Sequence, residues 1–267
     1  MTTRIPTLLL TGAAGLLGRQ LTPALARCCE RLVRSDLAAA LQAQGDATAV
    51  PCDLADRAAV RALLQGVDAV VHLGGVSYEK PFEVVLDANI RGLFHLYEAA
   101  RLAGTKRIVF ASSNHVTGCY AVTDHNAPED PPRPDGYYGL SKLYGEGMAR
   151  LYFDRYGIEA VCLRIGTATP EPIDHRSLAS WLSPGDLERL VLASLTTPGV
   201  GFLVAYGCSR NTRRWWRSDE AWARLGYAPQ DDAEAYAGKV GHITFPPGSP
   251  MARLQGGTFL DIGPFDD

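Results

Sequence analysis

Tyr138 and Lys142 have the residue types and the spacing that proton-transfer chemistry requires. Four residues apart on a helix, they share one face and lie one turn from each other. A phenol with a free pKa near ~10 is a poor base at neutral pH, but a nearby ammonium favours the phenolate and lowers that pKa. Ser113, at the end of a predicted strand, would orient a substrate oxygen and stabilise charge on it. The spacing therefore predicts a catalytic tyrosine; the alternative is an ordinary amphipathic helix pair.

A glycine-rich turn near the start of the chain has the pattern of a dinucleotide site. The apolar run Leu8–Leu10 predicts a buried parallel strand, and helical spacing follows from Arg19 to Ala26. Glycine permits a sharp turn at position 12, and at position 15 it lets the backbone approach a pyrophosphate closely. Glycine at position 18 lets the helix pack closely on the strand. The free N–H groups at the start of the helix then face the phosphates. The residues expected at this part of the cofactor are Gly12, Ala14, Gly15, Leu16, Leu17 and Gly18.

Asp36 ends the second predicted strand, 24 residues after Gly12. This is near the usual distance for the carboxylate that accepts hydrogen bonds from the adenosine ribose hydroxyls, and a carboxylate there repels a 2′-phosphate, which favours NAD over NADP. Arg34 is the reservation, because a nearby guanidinium would accommodate that phosphate. Asp53, after the third strand, is expected either at the adenine amino group or as the cap of a helix over Arg57–Leu64. A helix cap is also the alternative role for Asp36.

Five successive strand-then-helix units predict an α/β fold with a doubly wound parallel sheet. After the first strand, strands are predicted at 31–36, 47–51, 68–73, 106–111 and 160–165, with a last one at 200–206. Ligands in such sheets gather at the carboxyl ends of the strands. The further residues expected near the cofactor are Leu54, Leu73, Gly74, Gly75, Asn89 and Ile165, and Ser77 is expected near the substrate. His72, inside the fourth strand, is expected to be a hydrogen-bonded core residue.

Composition and charge argue against several function classes. The chain has 267 residues, 46% of them hydrophobic, and a formal net charge of −3, so attraction to nucleic acid or an anionic membrane is not expected. The basic cluster over 210–217 is expected to be a surface loop in which Trp215 and Trp216 are partly packed. Six cysteines without C-x-x-C spacing predict reduced thiols in a cytoplasmic protein, and the histidines show no metal-ligand spacing. No apolar run approaches the length of a membrane span.

The first part of the chain resembles the extended short-chain dehydrogenase/reductases. The matching motifs are Thr11-Gly-x-x-Gly-x-x-Gly18, Asp36, Asp53-Leu54, Ser113 and Tyr138-x-x-x-Lys142. More narrowly, four blocks resemble the uronate dehydrogenase family: His72-Leu-Gly-Gly-Val-Ser77-Tyr-Glu-Lys-Pro-Phe82, Phe110-Ala-Ser-Ser-Asn-His115, Arg164-Ile-Gly-Thr167 with Pro170-Glu-Pro172, and Gln255-Gly-Gly-Thr-Phe259. These blocks are spread from end to end of the chain and are long enough to be fairly specific.

The resemblance implies a Rossmann-type fold and NAD-dependent oxidation of the C1 hydroxyl of D-galacturonate or D-glucuronate to an aldaro-lactone. It implies Tyr138 as the base, Lys142 as its activator and Ser113 as the group that orients the hydroxyl. In the same way Ser77, Asn114, His115 and Thr167 would line the sugar, Arg176 would clamp the carboxylate and Phe259 would close the pocket. A serine is more usual in the family where this chain has Thr167, and the added methyl bears on substrate preference.

Several alternatives stay open at this point. Arg176 would otherwise be a solvated loop charge, and His115 would make a structural hydrogen bond at the start of a loop. Residues 1–166 are expected to form the NAD-binding domain and residues 167–267 a small substrate-binding region packed on it. Helices at 89–103 and 138–156 bear apolar faces that commonly pair subunits in this family, which implies a homo-oligomer. The rival functions are a nucleotide-sugar epimerase or dehydratase of the same superfamily and a non-catalytic NAD-sensing regulator.

Overall fold

The computed structural model describes residues 4–263 and residue 265, and in these residues seven parallel strands form a single sheet. The strands are β1 (Ile5–Thr11), β2 (Cys29–Asp36), β3 (Val50–Pro51), β4 (Ala69–His72), β5 (Arg107–Ser113), β6 (Glu159–Ile165) and β7 (Phe202–Gly207). Their order across the sheet is β3-β2-β1-β4-β5-β6-β7. The chain runs outward in both directions from the junction of β1 and β4, so the predicted doubly wound, Rossmann-type α/β fold is confirmed.

Helices connect the strands and cover both faces of the sheet. The α-helices are α1 (Leu16–Cys28), α2 (Ala38–Ala43), α3 (Arg57–Leu63), α4 (Phe82–Val85), α5 (Gly92–Ala103), α6 (Tyr137–Tyr156), α7 (Ser177–Ser180), α8 (Pro184–Thr196), α9 (Asp219–Leu225), α10 (Ala237–Val240) and α11 (Pro250–Arg253). A π-helical turn (Leu86–Arg91) joins α4 to α5, and 3-10 turns span Asn114–Thr117, Ala233–Tyr236 and Gly257–Asp261. The helical segment predicted over 89–103 therefore begins earlier, at Phe82.

The first strand shows how sequence alternation builds the two layers of the core. Leu8, Leu9 and Leu10 are all fully buried. Leu8 and Leu10 face the layer that the sheet forms with α1, α8 and α9, whereas Leu9 faces the layer formed with α3, α5 and α6. Because apolar residues cover both faces, the strand appears in the sequence as a continuous apolar run. β1 is thus a firmly packed base for the glycine-rich turn that follows it.

The sheet continues past the boundary predicted at residue 166. β7 lies in the 167–267 region, yet it pairs in parallel with β6, and α8 packs into the same core. The end of the chain crosses back over the strand ends. Leu254 bridges Ala121 in an antiparallel pair, and the fully buried Gln255 donates from its side chain to the carbonyls of Ala121 and Asp124. This anchoring brings residues 256–259 to the carboxyl ends of the strands.

The structure also bears on the predictions made outside the site. His72 is buried and its Nδ1 lies 2.7 Å from Thr11 Oγ1, as expected of a core histidine, and burial lowers the pKa of His72 to about 3. Trp215 and Trp216 are both buried, so the tryptophans of the basic cluster pack more fully than expected. All six cysteines are free. Among the described residues, no cluster of His, Cys, Asp or Glu could hold a metal ion, and no helix is long and apolar enough to cross a membrane.

Candidate active site

A cavity of about 680 Å³ lies at the carboxyl ends of the strands. Most of the residues that the sequence analysis assigned to cofactor and substrate line it: Gly12, Ala14, Gly15, Leu16, Leu17, Gly18, Asp36, Leu73, Gly74, Gly75, Ser77, Ser113, Asn114, His115, Tyr138, Lys142, Ile165, Thr167, Arg176 and Phe259. This convergence follows from the topology, because parallel strands all end at the same edge of the sheet. Of the assigned residues, Asp53, Leu54 and Asn89 lie outside the lining.

The turn between β1 and α1 fits a pyrophosphate. Gly12 has a φ of +71°, in the left-handed region, and a Cβ there would collide with the backbone of Leu73 and Gly74. A Cβ at Gly18 would collide with the backbone of Gly12, so α1 can pack this closely on β1 only with glycine at that position. α1 has no side-chain cap and no acid in its first turn. Its first N–H groups and its positive end are therefore available to phosphate oxygens.

Asp36 ends β2 with its carboxylate held beside this turn. Oδ2 accepts a hydrogen bond from the backbone N–H of Ala14 at 2.9 Å, and Oδ1 accepts one from Leu37 at 2.8 Å. α2 has no side-chain cap, so the alternative role of Asp36 as its cap is wrong. Arg34 forms an ion pair with Asp46, which neutralises its charge. The arrangement favours ribose hydroxyls over a 2′-phosphate near Asp36.

Asp53 and Leu54 follow β3 outside the cavity lining. Asp53 is exposed and accepts a hydrogen bond from the backbone N–H of Ala55 at 2.9 Å. The cap of α3 is Asp56, whose carboxylate accepts hydrogen bonds from two N–H groups of the first turn, so the capping alternative for Asp53 is wrong. Leu54 packs against Gly74, where a Cβ would lie 3.0 Å from the Leu54 Cδ1. Leu54 therefore contacts the loop that follows β4 but not the cavity.

Asn89 does not line the cavity but forms hydrogen bonds with the backbone of the same loop. Its amide oxygen accepts a hydrogen bond from the backbone N–H of Val76 at 2.8 Å, and its amide nitrogen donates to the Val76 carbonyl at 3.1 Å. The nitrogen also donates to Ser141 Oγ at 2.9 Å, and that hydroxyl donates to the carbonyl of Tyr138 at 2.7 Å. Asn89 lies in the π-helical turn, which sequence periodicity does not predict. The direction of the Asn89 side chain therefore could not be predicted from the sequence.

Tyr138 and Lys142 are both buried on one face of α6 at the cavity wall, as their spacing predicted. The Lys142 ammonium lies 5.5 Å from the centroid of the Tyr138 ring and 5.2 Å from that of Phe110. Burial raises the pKa of Tyr138 to about 12 and lowers the pKa of Lys142 to about 8. Desolvation is therefore the largest influence on the pKa of Tyr138 in this structure, and the lowering of that pKa by the Lys142 ammonium stays a prediction.

Ser113 is the last residue of β5, and its side chain lines the same cavity as Tyr138. The Ser113 hydroxyl lowers the pKa of Tyr138 and so offsets part of the effect of burial. Ser113 Oγ also accepts a hydrogen bond from the backbone N–H of His115 at 3.2 Å. β5 continues past Ala111 to Ser113, which pairs with Ile165 of β6, so Ser113 lies at the end of the strand as expected. Sheet pairing therefore fixes the position of this hydroxyl.

Glu79 is a buried carboxylate that the sequence analysis did not single out. It accepts hydrogen bonds from the backbone N–H groups of Tyr137 and Tyr138, at 2.8 and 2.9 Å. α6 has no cap of its own, since its N-cap residue is Gly136, where a Cβ would collide with the Glu79 carboxylate. Glu79 thus caps the helix that carries the tyrosine. It follows Ser77 closely in the sequence, but no spacing rule connects it to a helix so distant in the chain.

His115 contacts the rings of both Tyr138 and Phe259 at the cavity wall. The Phe259 ring stacks on the imidazole with 3.7 Å between centroids, and the Tyr138 ring meets it edge-on at 5.7 Å. Nδ1 of His115 lies 2.6 Å from Oδ2 of Asp135. An aspartate in a proline- and glycine-rich loop is typical of a turn, so no signal in the sequence points to this contact of Asp135.

Arg176 reaches the cavity from the segment that follows β6. Its Nε donates to the Gln255 carbonyl at 2.8 Å, Nη2 donates to the same oxygen, and Nη1 donates to Thr167 Oγ1 at 3.2 Å. In the amide orientation that satisfies both of its groups, Asn114 accepts from Nη2 at 3.1 Å. Burial lowers the pKa of Arg176, whereas Asp135 and Asp174 act on that pKa only through longer-range charge. Arg176 is partly buried, and it forms no salt bridge with any residue of 4–263 or 265, so within these residues its charge has no counter-ion.

Comparison with known proteins gives consistent results. The sequence profile of the NAD dependent epimerase/dehydratase family matches residues 8–182. A uronate dehydrogenase from Pseudomonas syringae pv. tomato is 51% identical over 262 residues, which cover 97% of this chain and 95% of the relative. A solved structure of a mutant uronate dehydrogenase from Agrobacterium tumefaciens complexed with NAD is 45% identical, with a TM-score of 0.91. The match covers 98% of this chain and 99% of the chain in that structure. A glucuronic acid dehydrogenase structure from Chromohalobacter salexigens is 42% identical, with a TM-score of 0.90. The match covers 97% of this chain and 98% of the chain in that structure.

Proposed function

This chain belongs to the NAD dependent epimerase/dehydratase family and, within it, to the uronate dehydrogenases, and we propose that it oxidises D-galacturonate and D-glucuronate at C1 to the aldaro-lactone. It is an NAD-dependent oxidoreductase that acts on a uronate. The observation that supports the substrate assignment best is the guanidinium of Arg176, which forms no salt bridge within the described residues and lies in the same cavity as Tyr138, Lys142 and Ser113.

A buried charge is stable only when another charge or a set of hydrogen bonds compensates it. Among the residues that the structure describes, the partly buried Arg176 has hydrogen bonds but no counter-ion, and a substrate carboxylate would supply one. A uronate carries its carboxylate on C5, which is joined to C1 through the ring oxygen, and Arg176 and Tyr138 line the same cavity, so one uronate could contact both residues. Because Nε stays bound to the Gln255 carbonyl, the carboxylate would bind through Nη1, replacing its bond to Thr167 at 3.2 Å. A neutral hexose would leave the charge of Arg176 uncompensated.

The remaining polar groups of the cavity match the hydroxyls of a sugar. Ser77, Asn114, His115 and Thr167 line the cavity and supply both donors and acceptors. Thr167 Oγ1 lies 2.8 Å from Ser180 Oγ, so the threonine side chain is held in one orientation. Its methyl group narrows the space beside Arg176 compared with a serine.

Three side chains would act on the C1 hydroxyl. Ser113 donates a hydrogen bond to the oxygen and orients it, and Tyr138 accepts the hydroxyl proton. The Lys142 ammonium favours the phenolate, and this attraction must overcome the effect of burial on the pKa of Tyr138. Bound NAD supplies the acceptor for the hydrogen that leaves C1 as hydride. Since C1 already carries the ring oxygen, the oxidised sugar is a lactone.

The assignment of cofactor contacts follows the geometry of the strand ends. The turn at residues 12–18 would hold the pyrophosphate, Asp36 the adenosine ribose, and Lys142 the nicotinamide ribose. Asp53 remains a prediction for the adenine amino group. The ion pair between Arg34 and Asp46 supports a preference for NAD over NADP.

We also propose that the enzyme is a homo-oligomer that pairs through α5 and α6. The support is a set of apolar side chains on these helices that are at least 40% exposed: Phe94, Leu102, Leu140 and Leu151. Light scattering coupled to size exclusion tests this, and a monomer at micromolar concentration would contradict it. The six free thiols support a place in the reducing cytoplasm.

The proposed function is tested with a panel of uronic acids and matching neutral hexoses, each with NAD and with NADP, followed by NADH absorbance. We expect net NADH formation from uronates with NAD and little from neutral hexoses. Turnover of a nucleotide sugar without net NADH would indicate the epimerase alternative instead. Binding of NAD without turnover of any sugar would indicate the regulator.

A further inference from the structure

His115 and Asp135 form a buried pair beside the cavity. Nδ1 of His115 lies 2.6 Å from Oδ2 of Asp135, and the Asp135 side chain is fully buried. The other carboxylate oxygen, Oδ1, is buried without a hydrogen-bond partner among the described residues. His115 is therefore the side chain to which this carboxylate is directed.

The chain encloses the Asp135 carboxylate with glycine on three sides. A Cβ at Gly118 or at Gly256 would collide with Oδ2, and a Cβ at Gly139 would approach Oδ1 to 3.0 Å. These glycines come from three separate segments: the end of the turn at 114–117, the first turn of α6, and the C-terminal segment. A carboxylate enclosed in this way has little freedom to turn away from the imidazole.

We propose that Asp135 is a positioning residue that holds His115 in the Nδ1–H tautomer, so that Nε2 presents a lone pair to a hydroxyl of the bound sugar. The proposal rests on the proposed function, since it specifies how the uronate is recognised. A carboxylate accepts the Nδ1 proton, and the neutral imidazole then carries its lone pair on Nε2. His115 lines the cavity, and its Nε2 has no hydrogen-bond partner in residues 4–263 or 265.

The charge of Asp135 does not assist the base directly. It adds to the effect of burial in raising the pKa of Tyr138, which opposes formation of the phenolate. The contacts of Asp135 instead indicate a role in orienting His115, whose ring also stacks on Phe259 and meets Tyr138 edge-on.

Nitrogen-15 NMR of the histidine-labelled full chain tests the tautomer directly, with His115→Gln to assign the signals. At pH 8, where a free imidazole is neutral, we expect His115 to be protonated at Nδ1 only. Protonation at Nε2 only, or at both nitrogens, would overturn the proposal. This measurement needs no turnover, so it is independent of whether uronates are the substrates.

Asp135→Asn provides the second test, with Asp130→Asn of the same loop as the control, since Asp130 lies outside the cavity lining. We expect Asp135→Asn to lose the single Nδ1–H tautomer and to raise the KM for uronate about tenfold, while the Kd for NAD stays within twofold. An unchanged tautomer with an unchanged KM would overturn the role of Asp135. Failure of the unaltered chain to oxidise any uronate would instead remove the proposed function.

Discussion

The Glu79 carboxylate accepts a hydrogen bond from the backbone N–H of Tyr138 at 2.9 Å. The carbonyl of the same tyrosine accepts a hydrogen bond from Ser141, which is held in turn by Asn89 and, through it, by Val76. The N–H of Tyr138 is therefore bound directly to the loop after β4 that contains Ser77, and its carbonyl is linked to the same loop through Ser141 and Asn89. The loop that would contact the sugar and the residue that would accept its proton are held in one network.

Glu79→Gln should impair catalysis without impairing binding. The amide has only one acceptor oxygen and no charge for the helix N-terminus, so we expect a loss of ~1 kcal/mol in stability and a fall in kcat of about tenfold as Tyr138 shifts. The KM for uronate and the Kd for NAD should change little. Uronate deuterated at C1 should show a larger isotope effect in the variant. Glu83→Gln, exposed at the start of α4, is the control, and equal kinetics for the two variants would argue against the role of Glu79.

Tyr138→Phe should abolish turnover while sparing cofactor affinity. The variant keeps the ring that packs beside His115 but lacks the group that accepts the proton, so kcat should fall by ~10²- to 10⁴-fold or more. Steady-state kinetics and titration of NAD measure the two quantities separately. A fully active variant would refute Tyr138 as the base.

Arg176→Lys should raise the KM for uronates by about 10- to 100-fold, because a lysine cannot keep the bond to the Gln255 carbonyl and bind a carboxylate in the same geometry. The weak turnover of neutral hexoses should change much less. Arg213→Lys is the matched control, since Arg213 pairs with Glu234 on the surface. An unchanged KM in Arg176→Lys would remove this residue from carboxylate binding.

Asp36→Ser should weaken NAD binding by about tenfold and raise the use of NADP, because the repulsion of a 2′-phosphate is lost. Combination with Asp46→Asn should raise kcat/KM for NADP further, since it releases Arg34 from its ion pair. Asp46→Asn alone is the control. If the double variant behaves as Asp36→Ser does, Arg34 does not reach the phosphate.

Lys142→Met should change how stability depends on pH. Burial lowers the pKa of Lys142 from 10.5 to about 8, so the folded chain binds fewer protons than the unfolded chain between these values, and its stability rises with pH there. The penalty of the buried charge is fully present below pH 8 and is lost as the pH rises to 10.5.

Lys142→Met should therefore gain about 3 kcal/mol over the unaltered chain at pH 7, and the gain should vanish near pH 10.5. Denaturant unfolding across this range measures it. Lys239→Met is the control, because Lys239 is exposed beside Glu171, which raises its pKa. A gain that does not vary with pH would show that packing, and not charge, is responsible.

The sequence by itself determined the fold class, the strand ends and most of the cavity lining. Apolar strands, helical periodicity and the glycines at 12, 15 and 18 are local signals, and the rules of parallel sheets bring the carboxyl ends of β1, β4, β5 and β6 together. The spacing of Tyr138 and Lys142 likewise needs only one helix to place both residues on the same face.

Only the tertiary structure decided which charges are compensated and which side chains support the site. Asp46 pairs with Arg34, Glu79 caps α6 and Asp135 bonds to His115, whereas Arg176 keeps its charge free of a salt bridge within the described residues. Each of these contacts joins segments that are separated in the chain, and their spacing in the sequence does not predict that they meet. Burial is also a property of the assembled fold, which is why the pKa of Tyr138 is raised although its lysine neighbour is correctly placed.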